Sequence, residues 1–263
     1  MKSLQQLVGP TRYDSMGFMS LAPVLSPLID LVFPPRCPLC GAAITAQTGL
    51  CQTCWSELVI PGEPACTLCS RPFAENIPEG ATCAPCMANP PRHDGIAAAT
   101  LYNDSSRRLV LALKHGNRIS LAPMMAGLIA PRVHFIGPDW VIVPVPLHRW
   151  RLWKRGYNQA AELGRELSRR TGARLAVDAL VRRKRTPSLG GLGQKVRKRV
   201  LTGAITANGR CQALKGARVV LVDDVLTSGA TSDACVSALK RAGAEKVVVA
   251  CFARVIDELL DGR

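Results

Sequence analysis

Between positions 37 and 86 the chain places eight of its eleven cysteines in four C-x-x-C pairs: Cys37/Cys40, Cys51/Cys54, Cys66/Cys69 and Cys83/Cys86. The gaps between successive pairs are 10, 11 and 13 residues. A C-x-x-C turn converges two thiolates on one point, and a tetrahedral metal needs two such turns to close its shell. Four pairs therefore supply two complete four-cysteine zinc sites. Gly41 and Ser70 follow the first and third pairs, as the tight turn of a zinc knuckle requires. Large apolar residues are sparse here, so metal must supply stability that a core cannot. A disulfide framework fits poorly, because nothing marks secretion. A redox role for four copies without a surrounding βαβ pattern fits no better. Sequential pairing, with Cys37, Cys40, Cys51 and Cys54 in one site and Cys66, Cys69, Cys83 and Cys86 in the other, is favoured over cross-braced pairing. Sites filled by four thiolates leave no open position for catalysis, so these metals hold shape. Cys211, Cys235 and Cys251 read as ordinary buried or half-buried residues.

Ahead of the cysteines, residues 1–29 read as an extension, and Met16 is a second candidate start. Residues 16–33 are apolar, but Pro23, Pro27 and Asp30 break them. They are too interrupted for a membrane span and lack a signal-peptide layout, which predicts a cytoplasmic protein. Val24, Leu28, Leu31 and Val32 line one face of a short amphipathic helix.

Past Pro90-Pro91 the pattern changes to alternating strands and helices. Residues 95–102 read as a strand and residues 105–114 as a helix with Leu109, Ala112 and Leu113 inward. Residues 140–146 form a buried strand breaking into a loop. Residues 158–170 are helical, with Ala161, Leu163, Gly164 and Leu167 as packing positions. Residues 219–222 and 246–252 are near-continuous apolar runs, as in parallel strands covered on both faces. Between them Cys235, Ala238, Leu239 and Ala242 fall at helical spacing, with Gly243 as the C-cap. Such alternation predicts a Rossmann-like parallel sheet with helices on both faces, extending over residues 92–263 behind a 30–91 zinc module.

The charge is lopsided in the same way. Residues 1–100 carry 5 Lys/Arg against 7 Asp/Glu, whereas residues 101–263 carry 29 against 12. A net of +17 on one part suits an anionic partner, either nucleic acid or a phosphorylated small molecule, although a solvated Arg-rich surface reads the same way.

Within the basic part, the run VVLVDDVLTSGAT at 219–231 is the most informative. Ligands of parallel α/β sheets bind beyond the carboxyl ends of the strands, which places Asp223-Asp224 at that edge. Thr227, Ser228, Gly229, Ala230 and Thr231 form a loop entering a helix, so backbone N–H groups and hydroxyls make an anion cradle. Two acids beside such a cradle do not bind phosphate; they accept hydrogen bonds from a ribose diol or hold Mg2+. The composite ligand is a 5-phosphorylated ribose.

This run resembles the phosphoribosyl-pyrophosphate (PRPP) signature of type I phosphoribosyltransferases, and residues 30–255 as a whole resemble the ComF family, a double zinc ribbon followed by such a domain. Val143-Pro144-Val145-Pro146, the Lys154–Ala160 segment KRGYNQA and Arg185-Thr186-Pro187 support the likeness. The resemblance implies a type I phosphoribosyltransferase fold. It also implies that Asp223 and Asp224 meet the ribose hydroxyls and associated Mg2+, and that the 227–231 loop holds the 5-phosphate. The loop at Pro146 and His148 matches the superfamily's pyrophosphate position, with His148 and Arg149 as donors or His148 as a plain loop residue. Arg155, Tyr157, Asn158 and Gln159 match a family motif that either touches ligand or positions a loop. Residues 182–199 hold eight basic residues and no acid, the profile of a loop closing over an anion. Leu189 and Val200 stand where the family usually has Gln and Asn.

Two function classes remain open at this level. An enzyme would transfer a ribosyl group from PRPP to a nitrogen nucleophile; purine enzymes of the superfamily place an Asp base where this chain has Thr227, whose hydroxyl is no base near pH 7. A non-enzymatic protein would act in DNA uptake, as the resemblance implies, gripping single-stranded DNA through its basic surface, with Trp140, Trp150, Trp153 and Tyr157 as the aromatic cluster.

Overall fold

In the computed structural model, the structure describes residues 33–73, 77–78, 80–115, 118–184, 203–209 and 214–256. The N-terminal extension, Cys211 and most of the basic 182–199 segment lie outside them. Five parallel strands form the main sheet: β1 (Ile96–Leu101), β2 (Trp140–Pro144), β3 (Arg174–Leu175), β6 (Arg218–Leu226) and β7 (Lys246–Arg254), in the spatial order β1-β7-β6-β2-β3. The chain leaves β2 toward β3 and leaves β6 toward β7, in opposite directions. The topological switch point therefore lies between β2 and β6, where doubly wound sheets open a binding crevice.

Both faces of the sheet are covered, which explains the apolar runs. Along β6, Val220 and Val222 face one core and Val219 and Leu221 the other. The first core is closed by α3 (Asp104–His115), α4 (Ala122–Ile129) and α6 (Gln159–Thr171) through Leu109, Leu113, Met125, Ile129, Leu163 and Leu167, all fully buried. The second is closed by α7 (Ala230–Arg241) through Cys235, Val236 and Leu239, together with a small antiparallel hairpin of β4 (Leu180–Arg182) and β5 (Ile205–Ala207). Each such Val, Leu or Ile contributes roughly 1.5–3 kcal/mol on burial. Gly164 presses α6 against Ile142 and Leu175.

Several elements exceed the sequence expectation. β6 runs through both acids to Leu226, because β7 keeps pairing with it at Asp223↔Cys251, Val225↔Ala253 and Leu226↔Arg254. β2, by contrast, stops at Pro144↔Val222. The helix α5 (Arg149–Arg155) and the hairpin were not foreseen.

The cysteine module is built from two similar halves. In each, a knuckle turns through a left-handed residue, Gly41 (φ 78°) or Ser70 (φ 52°), whose N–H bonds to the Cys37 or Cys66 carbonyl. The second pair of each half then opens a short helix, α1 (Gln52–Ser56) after Cys51 and α2 (Ala84–Ala88) after Cys83. The first half docks on the sheet domain: Leu58 enters the first core, the Leu101 N–H donates to the Val59 carbonyl (2.7 Å), and Asn103 Nδ2 to that of Glu57 (2.6 Å). Arg108 and Arg118 reach the carbonyls of Leu39 and Pro38. The second half has a lighter link, from the Ser70 hydroxyl to the Ile96 carbonyl. Among the described residues no helix is long and apolar enough to cross a membrane.

Candidate functional site

The switch-point crevice is built from the ends of β2 and β6. Because β2 ends opposite Val222, the acids on β6 have no strand beside them on that side. Each carboxylate folds back to accept from the next backbone N–H, Asp223 from Asp224 (2.9 Å) and Asp224 from Val225 (2.8 Å). The side chain of Asp224 is buried, and its Oδ2 has no hydrogen-bond donor among the described residues. The Lys114 ammonium, at the end of α3, lies 3.0 Å from that oxygen as an ion pair rather than a directed hydrogen bond. Burial and then the adjacent Asp224 charge push Asp223 up to about 8, against the opposing pull of Lys114 and the Asp224 N–H. The crevice thus holds two adjacent acids, the Asp224 carboxylate drawn to the Lys114 ammonium and the Asp223 carboxyl pushed toward its neutral form.

Directly after β6 the backbone makes an anion cradle. Asp223 and residues 225–232 line a cavity of about 50 Å3. One water needs roughly 10–15 Å3, so the space accommodates a few oxygens, the footprint of a phosphate. Gly229 adopts the left-handed conformation (φ 74°) at the N-cap of α7, and no side chain caps that helix. Its first N–H groups are left for a ligand, and the helix dipole favours an anion there. Thr227 is exposed, while Ser228, Gly229 and Thr231 are partly exposed and Ala230 is buried.

On the opposite lip, Pro146 and His148 are both buried, and His148 Nδ1 accepts from the Trp150 N–H (3.3 Å) as the N-cap of α5. The KRGYNQA segment organises this lip. Arg155 donates to Gln159 Oε1 (3.1 Å), and Gly156 ends α5. Asn158 caps α6 and donates to the Val145 carbonyl (3.0 Å), fixing the loop after β2. The Tyr157 hydroxyl donates to the Leu113 carbonyl, one residue before Lys114. These are positioning contacts within the protein. Arg182 is buried on the hairpin; burial and the Arg151 charge lower its pKa, with Cys235 and Asp223 pulling the other way. Cys235 on α7 and Cys251, which pairs with Asp223 across β6 and β7, are buried, and burial pushes their thiols up, Cys251 to about 12. Lys114 carries no local signal, since it meets Asp224 across 110 residues of sequence. Arg182, expected to begin a basic loop, instead ends β4 and is buried, because its pairing with Ile205 draws it into the hairpin.

The described cysteines form no disulfide. Their sulfurs gather in chain order, Cys37, Cys40, Cys51 and Cys54 in one group and Cys66, Cys69, Cys83 and Cys86 in the other, each within 4.8 Å of one another. Tetrahedral Zn–S bonds of about 2.3 Å place sulfurs about 3.8 Å apart. The Cys40–Cys51 and Cys69–Cys83 separations of 3.5 Å are of that size. Burial alone would raise Cys37 and Cys66, but backbone N–H groups, of Cys51, Cys40 and Leu39 in one half and of Cys83, Cys69 and Leu68 in the other, bring each to about 6. Both groups are compatible with structural zinc.

Comparison with known proteins agrees with this division. A double zinc ribbon domain matches residues 28–87, and a phosphoribosyl transferase domain matches residues 155–261. Competence protein F of Haemophilus influenzae is 30% identical over 226 residues, covering 83% of this chain and 96% of that protein. DNA utilization protein YhgH of Escherichia coli K12 is 29% identical over 234 residues, covering 86% of this chain and all of that one. Among solved structures, the allosteric regulatory enzyme of purine biosynthesis aligns with 54% of this chain and 30% of its own length, at 21% identity and a TM-score of 0.36. With a double zinc ribbon docked on a phosphoribosyltransferase-type sheet, and competence protein F matched along almost its whole length, the chain belongs to the ComF family.

Proposed function

We propose that the crevice between β2 and β6 binds a 5-phosphoribosyl ligand, PRPP with Mg2+, and that the protein serves DNA uptake through contact with single-stranded DNA. The observation that carries the first part is the uncapped start of α7 at Gly229, set directly after an acid pair at the switch point of the sheet. The cradle formed by Thr227, Ser228, Gly229, Ala230 and Thr231 takes the 5-phosphate, and Asp223 and Asp224 take the ribose hydroxyls. The buried Oδ2 of Asp224, which lies 3.0 Å from the Lys114 ammonium, is the carboxylate oxygen that a hard divalent cation prefers, and Mg2+ would compete with that ammonium for it. Bound Mg2+ would neutralise charge on the pyrophosphate. Asn158 holds the facing loop in place through Val145, and Arg155 steadies Gln159 at the start of α6.

The protein is read as a binder first. Thr227 is exposed at the position where a purine-type transferase carries its base, and its hydroxyl does not accept a proton near neutral pH. The DNA part rests on the names of the relatives and on the net charge of +17 over residues 101–263. Calorimetric titration with PRPP tests the crevice. Wild type is expected to bind only with Mg2+ present, and Asp223→Asn/Asp224→Asn to lose at least about tenfold, the equivalent of one charge-assisted hydrogen bond. Absence of binding by wild type overturns the reading.

A further inference from the structure

None of the residues of α5 is buried, and Arg149, Trp150, Leu152, Trp153 and Lys154 are exposed. Trp153 is 80% exposed and Trp150 54%. Two indoles in water on seven residues need an explanation, because single exposed apolar side chains are ordinary but paired ones mark contact surfaces. The two rings stand one helical turn apart, with centroids 5.9 Å apart and planes at 88°. Each ring thus braces the other edge-on. The remaining residues are Arg149, Arg151, Leu152, Lys154 and Arg155, four cations and no acid. Lys154 lies one turn from Trp150, and Arg149 one turn from Trp153, so charge flanks the indole pair on its own side.

The helix is held in place rather than loosely attached. His148 caps its start, Gly156 closes its end in left-handed conformation, and Arg155 is tied to Gln159. It leaves directly from the loop after β2, so it forms the rim of the switch-point crevice. On its inner side the charge of Arg151 acts on buried Arg182, which in turn feels Asp223.

We propose that α5 is a base-stacking platform for single-stranded nucleic acid, with Trp150 and Trp153 taking bases and Arg149 and Lys154 the adjoining phosphates. Stacking on indoles is tolerant of sequence because every base has a π-face, and interleaved cations track the backbone. An anionic membrane is the other surface that attracts Trp and Arg. It requires a continuous apolar face, whereas this helix is only about 10 Å long and carries cations on the ring side. The inference rests on the single-stranded DNA reading above and deepens it by naming where the bases sit.

The test uses the full chain and a fluorescein-labelled oligothymidylate, with anisotropy followed over a range of salt. Trp150→Ala/Trp153→Ala should weaken binding by at least about fivefold, the lower end of one lost stack, and leave the salt slope unchanged. Trp150→Phe/Trp153→Phe should retain most of the affinity, and all variants should melt with wild type, since the side chains are exposed. Arg149→Gln/Lys154→Gln should instead flatten the log–log salt slope by about 1.4, at about 0.7 for each phosphate contact. If wild type binds and the alanine variant binds equally well, the platform is wrong and the DNA reading stands. If wild type does not bind, the DNA reading falls and the platform with it. Sedimentation with phosphatidylglycerol vesicles completes the set: loss of vesicle binding in the alanine variant, with DNA affinity intact, assigns the rings to a membrane and overturns the proposal.

Discussion

Asp223 sits where folding works against its charge. Burial and the neighbouring Asp224 carboxylate raise it to about 8, far above the ordinary carboxylate near 3.9. A raised folded value means that the folded protein favours the protonated form. The stability this provides is complete below about pH 4 and is lost as pH climbs through about 8. Asparagine imitates the neutral carboxyl, so Asp223→Asn should match wild type at about pH 3.5, below the unfolded value, and melt higher at pH 9 without divalent cation. A tenfold change in a protonation equilibrium is worth about 1.4 kcal/mol, or about 3–6 °C for a chain of this size. A gain of at least about 3 °C at pH 9 is expected by differential scanning calorimetry; equal melting at both pH values would mean that the ionised carboxylate is held without cost. Strongly perturbed acids in a cleft occur frequently at ligand sites, which supports the reading proposed for Asp223. Lys114 offsets part of that cost from α3, more than a hundred residues earlier in the chain, which is why no local pattern announces it.

At the level of elements, the turn from β6 into α7 depends on Gly229. Its left-handed backbone opens the helix N-terminus toward the cavity, and a Cβ there would meet nothing within 4 Å. The cost of Gly229→Ala is therefore backbone conformation, about 1–2 kcal/mol, rather than a clash. Melting should fall by about 2–8 °C and PRPP affinity by about five- to thirtyfold, with Gly229→Asn milder because Asn tolerates this conformation. An unchanged affinity in the alanine variant would separate the cradle from the ligand. The turn itself was readable because small residues follow an apolar run, and β6 and β7 were readable because covering both faces of a parallel strand removes polar alternation. The extent of β6 was not readable: two consecutive acids look like a strand end, yet β7 pairs with Asp223, Val225 and Leu226 regardless. Nor was α5, whose residues bury nothing and so show no apolar period. The β4–β5 hairpin escaped for a third reason, since Leu180 pairs with Ala207 across a long intervening segment. The cysteine groups were legible because C-x-x-C spacing is local geometry, and chain-order pairing needs no long-range information.

Across the whole molecule, the two zinc-ribbon halves differ in how firmly they hold the sheet domain, and removing metal should reveal it. The first half puts Leu58 into the core and bonds through Val59, Glu57, Leu39 and Pro38 to β1, the loop after it, α3 and Arg118. Helix α3 carries Lys114 at its far end, so it links this half to the acid pair. The second half packs Leu68, Phe73 and Ile96 around its own cysteines and bonds to β1 through Ser70. Neither half has a core that replaces its metal, so each is expected to lose its structure without zinc. Cys51→Ser/Cys54→Ser and Cys83→Ser/Cys86→Ser should each reduce bound zinc from about two per chain to about one, measured by plasma emission. Their consequences should diverge. Loss of the first site uncovers Leu58 and frees α3, which costs about 2–5 kcal/mol by analogy with a buried Leu truncation, or at least about 4 °C of melting temperature, and weakens PRPP binding as Lys114 and the acids lose register. Loss of the second should leave PRPP affinity within about twofold of wild type. Unchanged PRPP affinity after loss of the first site would show that α3 transmits nothing from the ribbon to the crevice, and that the zinc module and the crevice are independent parts of one chain.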